Sequence, residues 1–250
     1  MSSDQNSSTA DASLIAGSAP AFDPVRANSR DDRGSALCMF VGTAIMLAAM
    51  SVHPTAHTHD LATFFRETAD GALLNRGVHG SAVAGMWISF CGQCGLALAL
   101  GFSRTVVRLG LIFVMAGTIV LTGAATANGV ILPWLAERYV EANAATQESA
   151  RPLLVLVTAA NRACDHIGIV ALGLGLAAWS VDLQRSSATR PLAIAGFICG
   201  IGPIIALFIG KLPMTVHGFG LFALIQGLWI VAAAIALRNG VVRRVGAVLS

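Results

Sequence analysis

Six long apolar segments separated by polar stretches dominate the chain after residue 35. Each approaches or exceeds the ~20 residues that an α-helix needs to cross the hydrocarbon of a bilayer. Open β-strands are excluded here, because lipid offers no hydrogen-bond partners to a sheet edge. The pattern therefore predicts an all-α, polytopic transmembrane helix bundle with about six spans. The expected spans are about 36–52, 78–102, 106–126, 152–181, 191–209 and 215–237.

The segment before the first apolar run has a different composition. Residues 1–34 are rich in Ser, Ala and Asp, and their apolar residues follow no regular period. Such a segment cannot bury enough apolar surface to fold, which predicts a disordered tail. A signal peptide is not indicated, because no short apolar region follows a basic start. We expect a cytoplasmic tail (1–34), a six-helix transmembrane domain (35–240) and a short cytoplasmic tail (241–250).

The composition supports a membrane protein. Of the 250 residues 55% are apolar and only 12% are charged, whereas about 25% of the residues of a soluble domain are charged. The few Lys and Arg residues lie mostly at the ends of the apolar runs, which argues against a phosphate-binding surface for nucleic acid. The lipid bilayer is therefore the expected partner. The sequence is also compatible with a homo-oligomer.

The basic residues also predict the orientation. With the N-terminus in the cytoplasm, ten arginines fall on the cytoplasmic side and five basic residues on the other side. Because cytoplasmic connections are enriched in Lys and Arg, we expect a multi-pass inner-membrane protein with both termini in the cytoplasm. The cytoplasmic set is Arg26, Arg30, Arg33, Arg104, Arg108, Arg185, Arg190, Arg238, Arg243 and Arg244. The opposite set is Arg66, Arg76, Arg138, Arg151 and Lys211.

The fourth apolar segment contains a cluster of four polar residues, Asn161, Arg162, Asp165 and His166. The last three are spaced i, i+3 and i+4, which places them on one helix face. They lie about 15–20 Å along the helix at 1.5 Å per residue. Charged groups at this depth are costly and normally face a bundle interior or a wet cavity.

Polar residues at similar depth on other segments extend this cluster. Gln93 lies on the second segment, Thr118 on the third and Gln226 on the sixth. Together the seven residues predict a midplane polar site for a substrate, an ion or a proton, and hence binding, transport or sensing. An equally weighted alternative is an Arg162–Asp165 ion pair that only locks the helices. The protein would then be a structural or assembly partner without a small-molecule site.

Histidines suggest a second kind of site. Five of the six fall near the non-cytoplasmic face: His53, His57, His59, His79 and His217. Imidazole and carboxylate groups suit zinc or copper, so a membrane metalloprotein or enzyme using these histidines is an alternative function. Pro54 interrupts a continuous helix, so the spacing matches no recognised metal motif. A polar loop with interfacial histidines is the simpler interpretation, and no cofactor is expected from it.

Sequence motifs of catalysis are absent from the chain. It contains no phosphate-binding loop, nucleotide fingerprint or zinc-protease motif. The elbow that presents the nucleophile of serine hydrolases is also missing. No catalytic residue is therefore assigned, and an enzyme is not the favoured class.

Three short features resemble a family of small bacterial six-helix integral membrane proteins without an assigned activity. They are His53-Pro54 at the end of the first segment, His79-Gly80 at the start of the second, and His217 with Trp229 in the last. The resemblance spans about residues 36–240. It implies the six-span topology and an inner-membrane location.

Overall fold

The computed structural model describes residues 24–54, 60–213 and 215–242, with side chains from residue 30 onward. Within these ranges the protein is all α-helical, as predicted, and has no strand. Six segments are long and apolar enough to cross a membrane, which confirms the multi-span bundle. The helices are α1 (Pro24–Ser51), α2 (Leu61–Asp70), α3 (Ala72–Gly101), α4 (Thr105–Thr126), α5 (Leu132–Tyr139), α6 (Ala144–Ser149), α7 (Arg151–Leu183), α8 (Arg190–Phe208) and α9 (Val216–Arg238).

Two helix boundaries differ most from the expected ones. Helix α1 begins at Pro24, inside the segment predicted as a tail, whereas residues 1–23 and 243–250 lie outside the described part. Helix α4 continues through a π-helical turn, Ala127–Ile131, into α5. The wider turn directly before Pro133 relieves the crowding that a proline ring imposes on the preceding α-helical turn. The third span is therefore longer than expected and includes Pro133 and Trp134 of α5.

Three short helices cover one end of the bundle. Helix α2 was not expected, and it begins where the Asp60 carboxylate accepts a hydrogen bond from the backbone of Thr63 at 2.8 Å. Its Phe65 is fully buried and stacks on Tyr139 of α5, with ring centroids 5.8 Å apart. Phe65 also packs with Ala150, which directly precedes α7. Helices α2, α5 and α6 therefore form a cap.

Glycines allow the spanning helices to approach closely. A Cβ on Gly85 of α3 would lie 2.6 Å from the carbonyl oxygen of Gly42 on α1. A Cβ on Gly110 of α4 would lie 2.5 Å from a ring carbon of Trp179 on α7. Small residues at such crossings let helices pack by direct backbone contact, which lipid alone does not drive.

The two ends of the bundle carry different groups. We call the end with the cap, His53 and His79 the histidine end. The opposite end carries the main buried core, which includes Trp179 and Trp229. Val242 belongs to this core together with Ala36, so the described chain begins and ends at the opposite end.

Candidate functional site

Three neighbouring cavities follow one another along the bundle. The central cavity has a volume of about 170 Å³. The α2 cavity, also about 170 Å³, lies between the cap and the bundle and shares His53, His79 and Asn128 with the central cavity. On the other side, the glutamine cavity of about 50 Å³ shares Met46 and Leu121 with it. The central cavity is therefore the middle chamber of the three.

Four parts of the chain supply imidazole, amide or carboxylate side chains to the central cavity. His53 follows the end of α1, and His79 lies near the start of α3. Asn128 comes from the π-helical turn after α4. Asn161 and Asp165 come from α7, spaced i and i+4 on one helix face. The remaining wall is mostly apolar, so these groups converge in a largely apolar chamber.

His53 and His79 meet at the wall between the central and α2 cavities. Nδ1 of His53 lies 2.8 Å from the carbonyl oxygen of Pro54, and Nδ1 of His79 lies 2.9 Å from that of Asn75. A carbonyl only accepts, so Nδ1 donates in both rings and each neutral ring keeps a lone pair on Nε2. The two Nε2 atoms are 3.2 Å apart.

The environment of this pair favours neutral rings. Burial lowers the pKa of His53, and the hydrogen bond to the carbonyl of Pro54 opposes that shift only in part. Desolvation disfavours the charged imidazolium, because a buried charge loses its hydration. His53 is therefore a neutral imidazole with an available lone pair near neutral pH.

The π-helical turn holds His79 in place. A Cβ added to Gly129 would lie 2.7 Å from Cγ of His79, closer than real side chains approach. His79 itself is only 8% exposed. Position 129 therefore requires glycine for as long as the His79 ring occupies this place.

The amide of Asn161 and the carboxylate of Asp165 form the polar part of the α7 wall of the central cavity. Asn161 Nδ2 donates to Asp165 Oδ2 at 3.1 Å. Asn161 is 9% exposed, and its Oδ1 has no hydrogen-bond partner within the described residues. Buried polar atoms without a partner are uncommon and call for a ligand or a water.

The other two members of the predicted α7 cluster point elsewhere. Arg162 and His166 are exposed, and neither lines the cavity. The expected Arg162–Asp165 ion pair is not formed among the described residues. Instead, the Arg162 carbonyl accepts from His166 Nδ1 at 2.6 Å. Successive residues of a helix are rotated by about 100°, so the face of Asn161 and Asp165 excludes their direct neighbours.

The three polar residues expected from other spans line the glutamine cavity instead. Gln93, Thr118 and Gln226 are all buried there. Gln93 donates to Ser89 at 3.2 Å, and Thr118 donates to the carbonyl of Val114 at 2.9 Å. Gln226 Nε2 is buried without a partner in the described part of the chain. The predicted single network is thus divided between two adjacent chambers.

The five predicted metal-binding histidines do not all come together. His53 and His79 form the pair, whereas His217 is exposed in the first turn of α9 and lines none of the three cavities. His57 and His59 lie outside the described residues. Over the ranges that the structure covers, no three His, Cys, Asp or Glu side chains are grouped to hold a metal ion.

Sequence reasoning missed three methionines on the wall of the central cavity. Met46 and Met50 precede His53 on α1, and Met86 follows His79 on α3. A signal was available, because Met46, Met50 and His53 are spaced i, i+4 and i+7, which is one helix face. Asn128 was also missed, since it lies just beyond the expected third span, about 106–126.

The buried ion pair of the described chain lies at the opposite end of the bundle. Arg104 Nη1 of the α3–α4 connection lies 3.0 Å from Asp182 Oδ1 of α7, and Asp182 is 1% exposed. Arg185 approaches the same carboxylate oxygen at 3.4 Å. This pair joins two spans far from the cavities, so its role is structural.

Comparison of the chain with known protein families, with curated proteins and with solved structures finds no match. The resemblance to small bacterial six-helix membrane proteins stays a prediction. The proposed function therefore rests on the geometry of the described residues.

Proposed function

We propose that this protein is an inner-membrane protein that binds a small cationic solute in the central cavity, as the binding step of transport or sensing. In this proposal both termini lie in the cytoplasm, and the histidine end faces away from it. The two-to-one distribution of basic residues supports that orientation.

The placement of Asp165 is the observation that carries the proposal. It is the one carboxylate lining the central cavity among the described residues. It forms no ion pair with Lys or Arg there, and its hydrogen-bond donor is the neutral amide of Asn161. A carboxylate inside a membrane-spanning bundle is costly without a compensating charge. A cationic solute would supply that charge.

The dimensions of the cavity suit a small solute. A volume of about 170 Å³ exceeds that of the engineered cavities of about 150 Å³ that hold benzene. A metal or ammonium ion with some of its waters fits such a space. The unpartnered Oδ1 of Asn161 would then accept from, or coordinate, the bound species.

The chain of chambers favours movement of a solute over a purely structural role. The α2 cavity adjoins the central cavity at the histidine pair, and the glutamine cavity continues toward the opposite end. A structural bundle would gain stability by filling these spaces, since voids forfeit packing contacts. Their alignment supports a path or a sensing pocket.

A thermal-shift screen of the purified protein tests the proposal. Inorganic and organic cations should raise the melting temperature of the wild type, because a ligand that binds only the folded state stabilises it. The increase should disappear in Asp165→Asn, which keeps the side-chain shape without the charge. It should persist in the control Arg162→Gln, whose position lies outside the cavity.

Two results would count against solute binding. Cations that stabilise Asp165→Asn as much as the wild type act elsewhere on the protein. The absence of any stabilising cation would favour the alternative of a membrane protein without a small-molecule site.

A further inference from the structure

The facing lone pairs of His53 and His79 require a species between them. Both Nδ1 atoms are committed to backbone carbonyls, so both Nε2 atoms of the neutral rings are acceptors. Two acceptors 3.2 Å apart repel each other. Only a shared proton or a bound metal ion makes this arrangement favourable.

The separation of the two Nε2 atoms matches that of two ligands of one ion. Two imidazole nitrogens at about 2.0–2.1 Å from a tetrahedral metal ion are about 3.3–3.4 Å apart, close to the observed 3.2 Å. The ring centroids are 4.7 Å apart and the ring planes meet at 69°. The rings therefore lean to one side of the line between the nitrogens, whereas a proton shared head-on would align them.

The backbone hydrogen bonds are those of metal-binding histidines. A histidine that ligates a metal through one ring nitrogen usually donates from the other to a carbonyl or carboxylate, which fixes the ring. His53 and His79 both do so, through Pro54 and Asn75. The close fit of Gly129 against His79 restrains that ring further.

Methionines identify the class of metal. Met46, Met50 and Met86 line the same cavity as the histidine pair. Three of the five described methionines thus line this chamber, and Met46 and Met86 also line the adjoining glutamine cavity. Thioethers are soft ligands that select monovalent copper, and imidazole also suits copper.

We propose that the cation of the central cavity is monovalent copper, held by His53 and His79 together with methionine thioethers from α1 and α3. The inference rests on the proposed function, because copper is here the solute that the cavity takes up. The single carboxylate of Asp165 balances the single positive charge of this ion inside the bundle.

Copper binding by the full-length protein in detergent, kept reduced and free of oxygen, tests this inference. A colorimetric chelator specific for monovalent copper should lose about one equivalent of the ion to each wild-type chain. The double variant His53→Ala/His79→Ala and the double variant Met46→Leu/Met50→Leu should each bind at least about tenfold more weakly. Leucine conserves the volume of methionine, so the second variant keeps the packing.

Matched controls separate these ligands from other histidines and methionines. His217→Ala and Met115→Leu change residues outside the cavity and should bind copper like the wild type. X-ray absorption of the copper-loaded wild type should show both nitrogen and sulfur neighbours. Thermal melting without copper shows whether each variant is folded.

Three results would overturn the copper site. They are copper binding that survives the methionine variant, a copper spectrum without sulfur, and zinc binding as tight as that of copper. If copper fails while another cation stabilises the protein through Asp165, the proposed function stands and this inference falls. If no cation acts through Asp165, both fall.

Discussion

The histidine end and the opposite end of the bundle bury polar groups in contrasting ways. At the opposite end, Asp182 is 1% exposed and pairs with Arg104, and the nearby indoles of Trp179 and Trp229 both donate to backbone carbonyls. At the histidine end, Asn161 keeps an unpartnered oxygen and two histidine lone pairs face each other. In the first region the buried charges pair with each other, although Arg104 Nη2 and Asp182 Oδ2 have no further partner among the described residues. In the second region Asn161, Asp165 and the two histidines face a cavity.

The surroundings of a buried residue therefore indicate its role better than its residue type does. Helix α7 carries both aspartates, yet Asp182 near its end pairs with Arg104 while Asp165 near its middle faces a chamber. A buried charge that loses its partner is strongly destabilising, by about 3–5 kcal/mol, so a charge that has no partner in the bundle invites a ligand. The bundle is therefore less tightly packed around the cavities than at the opposite end.

The largest expected effect comes from truncating a buried side chain in the core of the opposite end. Trp179→Ala should lower the free energy of unfolding by about 3–5 kcal/mol, because a fully buried indole is lost and a cavity remains. Unfolding in detergent by heat or denaturant measures this. Trp134→Ala, whose side chain is 54% exposed on α5, is the control and should have a small effect. Equal losses would show that the two regions do not differ in packing.

Breaking the ion pair should have the next largest effect. Arg104→Leu should destabilise the protein by about 3 kcal/mol, since it leaves the buried Asp182 carboxylate with only the more distant Arg185. The double variant Arg104→Leu/Asp182→Leu should recover most of that loss in the same unfolding experiment. A double variant as unstable as the sum of the two single variants would contradict a coupled pair.

A glycine substitution probes the histidine end. Gly129→Ala should cost about 1–3 kcal/mol, because its Cβ overlaps the His79 ring. The same variant should bind the cation more weakly, as measured by ligand-dependent melting. Gly80→Ala is the control, since a Cβ there meets open space. A Gly129→Ala protein with wild-type melting and binding would show that His79 is not held by this contact.

The smallest effect is expected at Arg162. Arg162→Ala should change the free energy of unfolding by no more than about 0.5 kcal/mol, because the side chain is exposed and unpaired among the described residues. Comparison with Arg104→Leu in one experiment sharpens the contrast between the two arginines. A loss near that of Arg104→Leu would indicate a buried pair with Asp165 after all.

The candidate site was only partly predictable from the sequence. Asn161 and Asp165 were expected at a polar site, and His53 and His79 were among the expected metal ligands. Their common cavity was not expected, because helices far apart in sequence meet there. The Arg162–Asp165 pair was favoured by local spacing, while the pair that forms joins Arg104 to a residue 78 positions away. Local spacing could not reveal a partner on another helix.

The sequence by itself determined that the chain is an all-α bundle of six apolar helices, because span length and lipid-compatible backbone pairing are local properties. Only the tertiary structure decided which side of α7 faces inward, since polar residues lie on more than one of its faces. It also decided that His79 meets His53, which depends on Gly129 leaving room in a π-helical turn. The cost of burying a charge can be predicted from a sequence, but its partner depends on how helices pack against one another.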